Sequence, residues 1–152
     1  MECQKFIPEG WNINLGNISK DELINSMTND GILQGRVVSC DNNYNLHVEL
    51  CDEIKDAIIP REEIEAIYID SLGYPKPNIC ANKVNKFVQF KVKDILEDDI
   101  AILSRKEVGK NAINWVKNEL KPGDIVNGIV TNIRPFGAFI EIGRRSISDY
   151  YI

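Results

Sequence analysis

The 152-residue sequence has a single histidine, His47, and four cysteines with no C-x-x-C pair among them. A zinc site of ordinary ligand spacing therefore cannot be assembled locally, and we expect no metal or other cofactor. The sequence also lacks a glycine-rich phosphate loop, a Ser/His/Asp set and a paired-carboxylate arrangement. These absences exclude the common catalytic classes, and we predict that the protein is not an enzyme.

Long hydrophobic runs are missing as well. No apolar stretch approaches the roughly 20 residues that a membrane helix needs. The N-terminal sequence MECQKFIPEGW lacks the basic start and apolar core of a signal peptide. The hydrophobic fraction of 43% and the charged fraction of 27% are typical of a folded globular protein. We therefore expect a cytoplasmic protein.

Charge is distributed unevenly along the chain, although the net charge is only −5. Residues 31–104 hold 8 basic and 13 acidic side chains, whereas residues 105–152 hold 8 basic and 5 acidic ones. A polyanion such as a nucleic acid would be attracted to the second of these regions and repelled by the first.

Alternation of apolar and polar residues predicts five strands between residues 30 and 104. The segments are ILQGRVVSC, NLHVEL, DAIIP, KFVQFKVKDI and DIAILS. The turn cluster DNNYN at 41–45 joins the first two, and residues 66–82, with two prolines and a glycine, read as a long connection. This pattern indicates a mainly β chain built on a small five-stranded barrel.

Two helices flank the predicted barrel. Ser19 and Glu22 have capping-box spacing and begin a short helix over 19–27. We expect its apolar face to consist of Leu23, Ile24 and Met27. Ser104 and Glu107 repeat the capping spacing at the start of a helical linker. We divide the chain into an N-terminal segment (1–29), a first barrel (30–104), the linker (105–121) and the start of a second barrel (122–152).

The second barrel is inferred from an internal repeat. DGILQGRVV (30–38) aligns with GDIVNGIVT (123–131), which places Gly35 on Gly128. After a one-residue difference in the turn, YNLHVEL (44–50) aligns with FGAFIEI (136–142). The chain therefore reads as two copies of one supersecondary unit, of which the second has only its first hairpin.

Two phenylalanines stand out in this second hairpin. Alternation points Ala138, Ile140 and Ile142 inward and leaves Phe139 and Glu141 facing out, while Phe136 lies at the turn. Aromatic rings beside a cation such as Arg134 are suited to single-stranded RNA, because bases stack on rings and charge holds phosphates. The alternative is that one phenylalanine tucks under a neighbouring loop.

The stretch GDIVNGIVTNIRPFGAFIEIG closely resembles the start of the ribosomal protein S1 type of RNA-binding domain, a five-stranded OB barrel found in bacterial proteins. Residues 30–104 look like a complete, more divergent copy, in which AIIPREE and AILSRK match the third- and last-strand signatures. The resemblance covers residues 30 to about 143 and implies tandem RNA-binding barrels, with the second one truncated.

The resemblance also implies site residues. In that family two turn aromatics, a histidine on strand three, and an acid and an arginine near strand five grip RNA. Phe136 and Phe139 match in the second copy, and Tyr44 and His47 take those positions in the first. The other three positions of the first copy depart from the family pattern and carry Pro60, Leu96 and Ile100. Arg61 and Lys91 are the further cations that we expect to contact RNA.

The leading prediction is a translation- or ribosome-associated protein that binds single-stranded RNA, including mRNA. The alternative is a protein-docking module, with little RNA affinity, whose first barrel contacts the ribosome or an RNA-degradation partner. A third possibility is the accessory end of a nuclease or of a larger fusion.

Two expectations concern the end of the sequence. Because two strands cannot close a barrel, we expect the second hairpin to be disordered, swapped with another chain or packed on the first barrel. The last four residues, Asp149 to Ile152, are those that a single-base frameshift would create from a family-like continuation. A truncation of that kind would make Tyr150 and Tyr151 unrelated to RNA binding.

Overall fold

The structure, a computed structural model, describes residues 5–10, 18–143 and 150–151. The helical elements in these ranges are α1 (Lys20–Asn29), a 3-10 turn (Arg61–Glu63), α2 (Pro77–Ala81), α3 (Arg105–Asn114) and a π-helical turn (Trp115–Glu119). The strands are β1 (Leu33–Cys40), β2 (Leu46–Glu49), β3 (Asp56–Ile59), β4 (Phe87–Ile95), β5 (Ile100–Ser104), β6 (Ile129–Arg134), β7 (Gly137–Glu141) and β8 (Tyr150–Tyr151).

The first five strands form a closed barrel in the order β1-β2-β3-β5-β4, which confirms the predicted five-stranded OB-type fold. Each pair is antiparallel except β3 and β5, which run parallel. The apolar residue at every second position of each strand points inward, so the barrel interior is filled by side chains. The fully buried core includes Val37, Leu46, Ile59, Phe90 and Leu103.

Helix α1 begins where its sequence predicts. The Ser19 side chain accepts a hydrogen bond from the Glu22 backbone N–H at 3.2 Å, the contact that defines an N-cap. The predicted apolar face is only partly correct, because Leu23 is fully buried whereas Ile24 and Met27 are exposed. The buried stripe instead continues through Ser26, whose hydroxyl donates to the Leu23 carbonyl and so removes the penalty for burying it.

The sequence predicted only a long connection at 66–82, but this segment contains a short helix. It contains α2, with Pro77 at the first helical position, where the missing N–H costs nothing. Cys80 of α2 is fully buried against the barrel core. The connection is therefore held to the barrel by packing.

The hairpins β1–β2 and β6–β7 have the same strand register. Val37 pairs with Val48 and Ser39 with His47 in the first, and Val130 pairs with Ile140 and Asn132 with Phe139 in the second. Both hairpins also carry a bulge at the same aligned place, between Val37 and Ser39 and between Val130 and Asn132. The sequence repeat is thus a repeat of backbone geometry, including its irregularity.

The aligned glycines have the same packing reason in both hairpins. A Cβ atom on Gly35 would lie 2.7 Å from a Val48 methyl group, and one on Gly128 would lie 2.6 Å from an Ile140 methyl group. Val48 and Ile140 are themselves aligned partners. Only glycine lets the second strand of each hairpin approach the first this closely.

The first hairpin lies in a closed barrel and the second does not, because among the described residues only the first is completed by β3, β4 and β5. Residues 33–35 of β1 pair with β4, whereas the aligned residues 126–128 lie before β6 and outside the three-stranded sheet β6-β7-β8. Val130 is 53% exposed, although its counterpart Val37 is fully buried. Without strands equivalent to β4 and β5 in the described part of the chain, the apolar face of this hairpin is open.

The second hairpin packs against the N-terminal segment, whereas the sequence led us to expect disorder, a swap with another chain or packing on the first barrel. The Glu9 backbone N–H donates to Oε1 of Glu141 at 3.0 Å. Gly143 lies close to two aromatic residues, since a Cβ atom added to it would be 3.5 Å from the Phe6 side chain and 3.7 Å from that of Trp115. Phe6 in turn contacts the Trp115 ring, with 5.5 Å between centroids. The contacts come from residues 5–9 and the end of the linker.

The frameshift hypothesis falls largely outside the described residues, because 144–149 and Ile152 are among those not described. Tyr150–Tyr151 forms β8, which pairs antiparallel with β7. Across the described residues, none of the helices is both long and apolar enough to cross a membrane.

Candidate nucleic-acid interface

Phe136 and Phe139 lie together at the tip of the second hairpin. Their ring centroids are 6.4 Å apart and the rings meet edge to face at 84°, an arrangement that aromatic pairs favour. Phe136 is 64% exposed, and Phe139 on β7 is partly buried. Arg134, the last residue of β6, is exposed and pairs with Gly137 across the turn. The tip therefore presents an open aromatic face with a cation on the same turn.

Glu141 was expected to face solvent beside Phe139, and that expectation is wrong. Its side chain is only 5% exposed, because residues 5–9 cover this part of β7. The carboxylate accepts the Glu9 backbone N–H, as described above, so Glu141 anchors the N-terminal segment. Alternation along a strand predicts the direction of a side chain but not which other segment covers it.

Tyr44 and Arg61 form one cluster on the first barrel. Tyr44 adopts a left-handed backbone with φ of 63° at the β1–β2 turn. The Arg61 guanidinium lies 4.8 Å from the centre of the Tyr44 ring and 5.0 Å from that of Tyr74. It also donates through Nε and Nη2 to the Pro75 carbonyl at 3.2 and 2.8 Å. Arg61 is therefore fixed between two rings.

His47 is held between two carboxylates. Its Nδ1 lies 2.9 Å from Oδ1 of Asp56, and its Nε2 lies 2.9 Å from Oδ2 of Asp41. The hydrogen bond with Asp56, followed by that with Asp41, raises the pKa of His47 above its usual value despite partial burial. Both ring nitrogens are occupied, so only the ring faces remain for stacking.

The surroundings of His47 are acidic. It lines a groove of about 680 Å³ together with charged side chains of β2, β3 and the loop between them, namely Glu49, Asp52, Glu53, Lys55 and Asp56. A phosphate placed here would face four carboxylates and one lysine. The position equivalent to Phe139 in the first barrel is thus electrostatically unfavourable for RNA.

Lys91 lies apart from the other candidates. It is on β4, and its ammonium group pairs with the Asp30 carboxylate at 2.9 Å. The Lys91 side chain is mostly covered, whereas that of Asp30 is largely exposed. The structure therefore brings together Tyr44 with Arg61, and Phe136 with Phe139 and Arg134, but gives His47 and Lys91 acidic partners.

The structure also contains a buried ion cluster that no sequence pattern indicated. The fully buried Arg105 guanidinium contacts the Glu9 and Glu65 carboxylates, each at 2.6 Å, and donates to the Ile64 carbonyl at 2.9 Å. Burial alone would lower the pKa of Arg105, but the two carboxylates raise it above its usual value. Lys83 contacts Glu9 at 2.9 Å, and burial together with Arg105 lowers the pKa of Lys83. The cluster joins residues that are distant in sequence, which no local pattern reveals.

Comparison with known proteins bears on these surfaces directly. Residues 119–148 match the family model described as the S1 RNA binding domain. Over 124 residues the chain is 27% identical to small ribosomal subunit protein bS1 of Staphylococcus saprophyticus, an alignment that covers 81% of this chain and 29% of that relative. The chain is thus similar to a ribosomal S1 protein over most of its length, and its second hairpin matches the S1 domain model.

The S1 match falls on the end of the linker and on the second hairpin, where Phe136 and Phe139 lie. The first barrel has the closed five-stranded architecture but lies outside that match. The chain spans less than a third of the length of the curated S1 relative. The part of the chain that matches the S1 model therefore contains the Phe136–Phe139 pair, in which Phe136 is exposed.

Proposed function

We propose that this chain is a member of the S1 family, that it binds single-stranded RNA, including mRNA, through the tip of its second hairpin, and that it acts in association with the ribosome in the cytoplasm. The observation that carries the proposal is the exposed Phe136, set edge-on to Phe139 with Arg134 on the same turn, within the S1 match. The similarity to a protein of the small ribosomal subunit supports the ribosomal association.

The mechanism is stacking combined with backbone charge. Bases stack on the aromatic faces, and basic side chains neutralise phosphates, so affinity falls as salt rises and sequence preference is modest. The excess of basic over acidic residues after residue 104 favours this part of the chain over the first barrel. No bond is made or broken in this mechanism.

A fluorescently labelled single-stranded RNA, titrated with the full chain at two salt concentrations, tests the proposal. Each stacked base contributes roughly 1–3 kcal/mol, so Phe136→Ala with Phe139→Ala should weaken binding at least about tenfold. Ile133→Ala removes an exposed apolar side chain from the same hairpin and should bind as the unmodified protein does. Equal affinity of the double variant and the unmodified protein would refute the role of the tip.

A second candidate function is protein docking by the first barrel, on a ribosomal or RNA-degradation partner. The observation that favours it is the acidic groove around His47, whose charge suits a basic protein surface and repels RNA. If the full chain fails to bind RNA even at low salt, but binds ribosomal subunits or a basic protein of the degradation machinery, docking is the correct function.

A further inference from the structure

A cavity of about 500 Å³ lies on the first barrel, away from the groove around His47. It is formed where Arg61 meets the connection that follows β3, and its lining includes Tyr68, Tyr74, Lys76 and Ile79. Its volume is within the range of roughly 300–1,000 Å³ typical of small-molecule sites. Two tyrosine rings and two cations thus line a concave surface in a segment that the sequence marked only as a connection.

The loop that carries these rings is held in shape by its own hydrogen bonds. Oδ1 of Asp70 accepts the backbone N–H groups of Leu72 and Tyr74, each at 2.9 Å. The Asp70 backbone N–H donates to the Tyr74 carbonyl at 3.0 Å, and Ile69 forms a β-bridge with Pro75. The Asp70 carboxylate in the cavity lining is therefore used to close the turn, and Tyr74 is positioned before any ligand arrives.

Arg61 ties this loop to the β1–β2 turn. Its guanidinium contacts the rings of both Tyr44 and Tyr74, as described above, and its backbone N–H donates to the Asn45 side chain at 3.0 Å. Two segments that are far apart in sequence thereby form one aromatic and cationic surface. Cations stacked with aromatic rings of this kind are found where single-stranded nucleic acid is bound.

Tyr68 adds an aromatic ring with no evident structural use. Its side chain is 66% exposed, so its burial stabilises the fold little. Its backbone has a φ of 59°, in the left-handed region that is unfavourable for a residue with a Cβ atom. An exposed ring in a strained backbone at the edge of a cavity is a feature expected of a binding site.

We propose that this cavity is a second RNA subsite, which takes one unstacked base of a single strand against Tyr68 and Tyr74 while Lys76 and Arg61 hold the adjacent phosphate. The inference rests on the proposed function, because it concerns the same ligand. Charge distinguishes the cavity from the groove around His47: two cations face one carboxylate here, whereas four carboxylates face one lysine there. The first barrel thus contacts RNA from the side of Arg61.

Affinity measurements with the full chain and a fluorescein-labelled oligouridine test the subsite. Tyr68→Leu with Tyr74→Leu keeps apolar bulk but removes both aromatic faces, and should weaken binding at least about fivefold. Lys76→Glu, an exposed change that leaves the rings in place, should also weaken binding and make it less sensitive to salt. Leu72→Ala in the same loop and Lys110→Glu on α3 are the matched controls, and both should bind normally.

Photocrosslinking separates the subsite from the hairpin tip. An oligonucleotide containing 4-thiouridine should crosslink to peptides around residues 68–76 as well as 136–139. If the phenylalanine variant loses affinity while Lys76→Glu and the tyrosine variant bind normally, with no crosslinks at 68–76, the subsite is wrong and the proposed function stands. If the unmodified protein binds no RNA, both proposals fail.

Discussion

His47 shows how one residue changes the chemistry of a backbone position that the two hairpins share. It occupies the place that Phe139 has in the second hairpin, and an imidazole can stack on a base as a phenyl ring does. Its two ring nitrogens, however, are each 2.9 Å from a carboxylate oxygen. When the ring is protonated, both nitrogens are donors and both carboxylates are satisfied. A neutral ring has only one N–H and leaves one contact unfavourable.

A pH dependence of stability follows from these contacts. Because the folded pKa of His47 is raised, its contribution is fully present below the unfolded value of about 6.5 and is lost as the pH rises through the folded value. The pKa of Asp41 is lowered, chiefly by its hydrogen bond to His47, so that contribution is lost on acidification. His47→Gln should therefore reduce the free energy of unfolding at about pH 6 but change it little at about pH 9.

The titration of His47 can be observed directly, since it is the only histidine in the sequence. Its NMR ring signals should titrate with a midpoint above about 6.5, and Asp56→Asn, which removes the first of the two carboxylates, should lower that midpoint. A midpoint at or below the ordinary value in the unmodified protein would contradict the double contact.

The contacts of individual side chains were the feature that the sequence predicted least well. It identified Phe136, Phe139, Tyr44 and Arg61 as candidates, and the structure groups them into two surfaces. It could not indicate that Tyr74 lies against Arg61, because nothing local relates the two. It also gave Glu141 the wrong environment, since the segment that covers it lies more than a hundred residues away in sequence.

The two hairpins are the elements on which the architecture depends. Their shared register and bulge mean that the same pair of strands occurs once inside a closed barrel and once with an open edge. Alternation and turn residues were sufficient to predict all five barrel strands, because period-two burial is a local signal. The single helical turn of α2 was not predicted, since two prolines and a glycine dominate its neighbourhood.

Substitution of the aligned glycines should separate the two units. Gly35→Ala places a Cβ against Val48 in the closed barrel, and overpacking of this kind typically costs about 1–3 kcal/mol of stability. Gly128→Ala makes the equivalent clash with Ile140, but the open hairpin can widen, so the stability of the first barrel should stay unchanged. Chemical denaturation monitored by barrel NMR signals measures both effects.

Ser39→Ala, an exposed change on the same strand as Gly35, is the control for that comparison and should have little effect. An equal loss of first-barrel stability in Gly35→Ala and Gly128→Ala would show that the two hairpins unfold as one unit, contrary to this expectation.

At the scale of the whole molecule, Glu9 connects parts of the fold that would otherwise be separate. Its carboxylate contacts Arg105 at the start of the linker helix and Lys83 after α2, and its backbone N–H bonds to Glu141 of the second hairpin. Such buried charges stabilise only while every partner is present, because an uncompensated charge in the interior is costly.

Arg105→Met tests this connection. Removal of the guanidinium takes a buried cation away from both Glu9 and Glu65, and loss of one member of a buried ion pair typically costs on the order of 3–5 kcal/mol. Hydrogen exchange should increase at residues 5–9 and at β7 as well as near Arg105. Lys110→Met, on the exposed side of α3, should leave both measurements unchanged. Unaltered protection of β7 in Arg105→Met would show that Glu9 does not hold the hairpin.

The common backbone of the two hairpins has a practical consequence. Because position 47 and position 139 have equivalent strand partners and follow the same bulge, a side chain can be exchanged between them without a change of scaffold. The two hairpins can therefore serve as internal controls for each other. The first has the acidic surface with His47, and the second has the aromatic surface with Phe139. A binding difference that follows the exchanged side chain can then be assigned to the chemistry of that side chain, with the strand register and bulge held constant within one polypeptide.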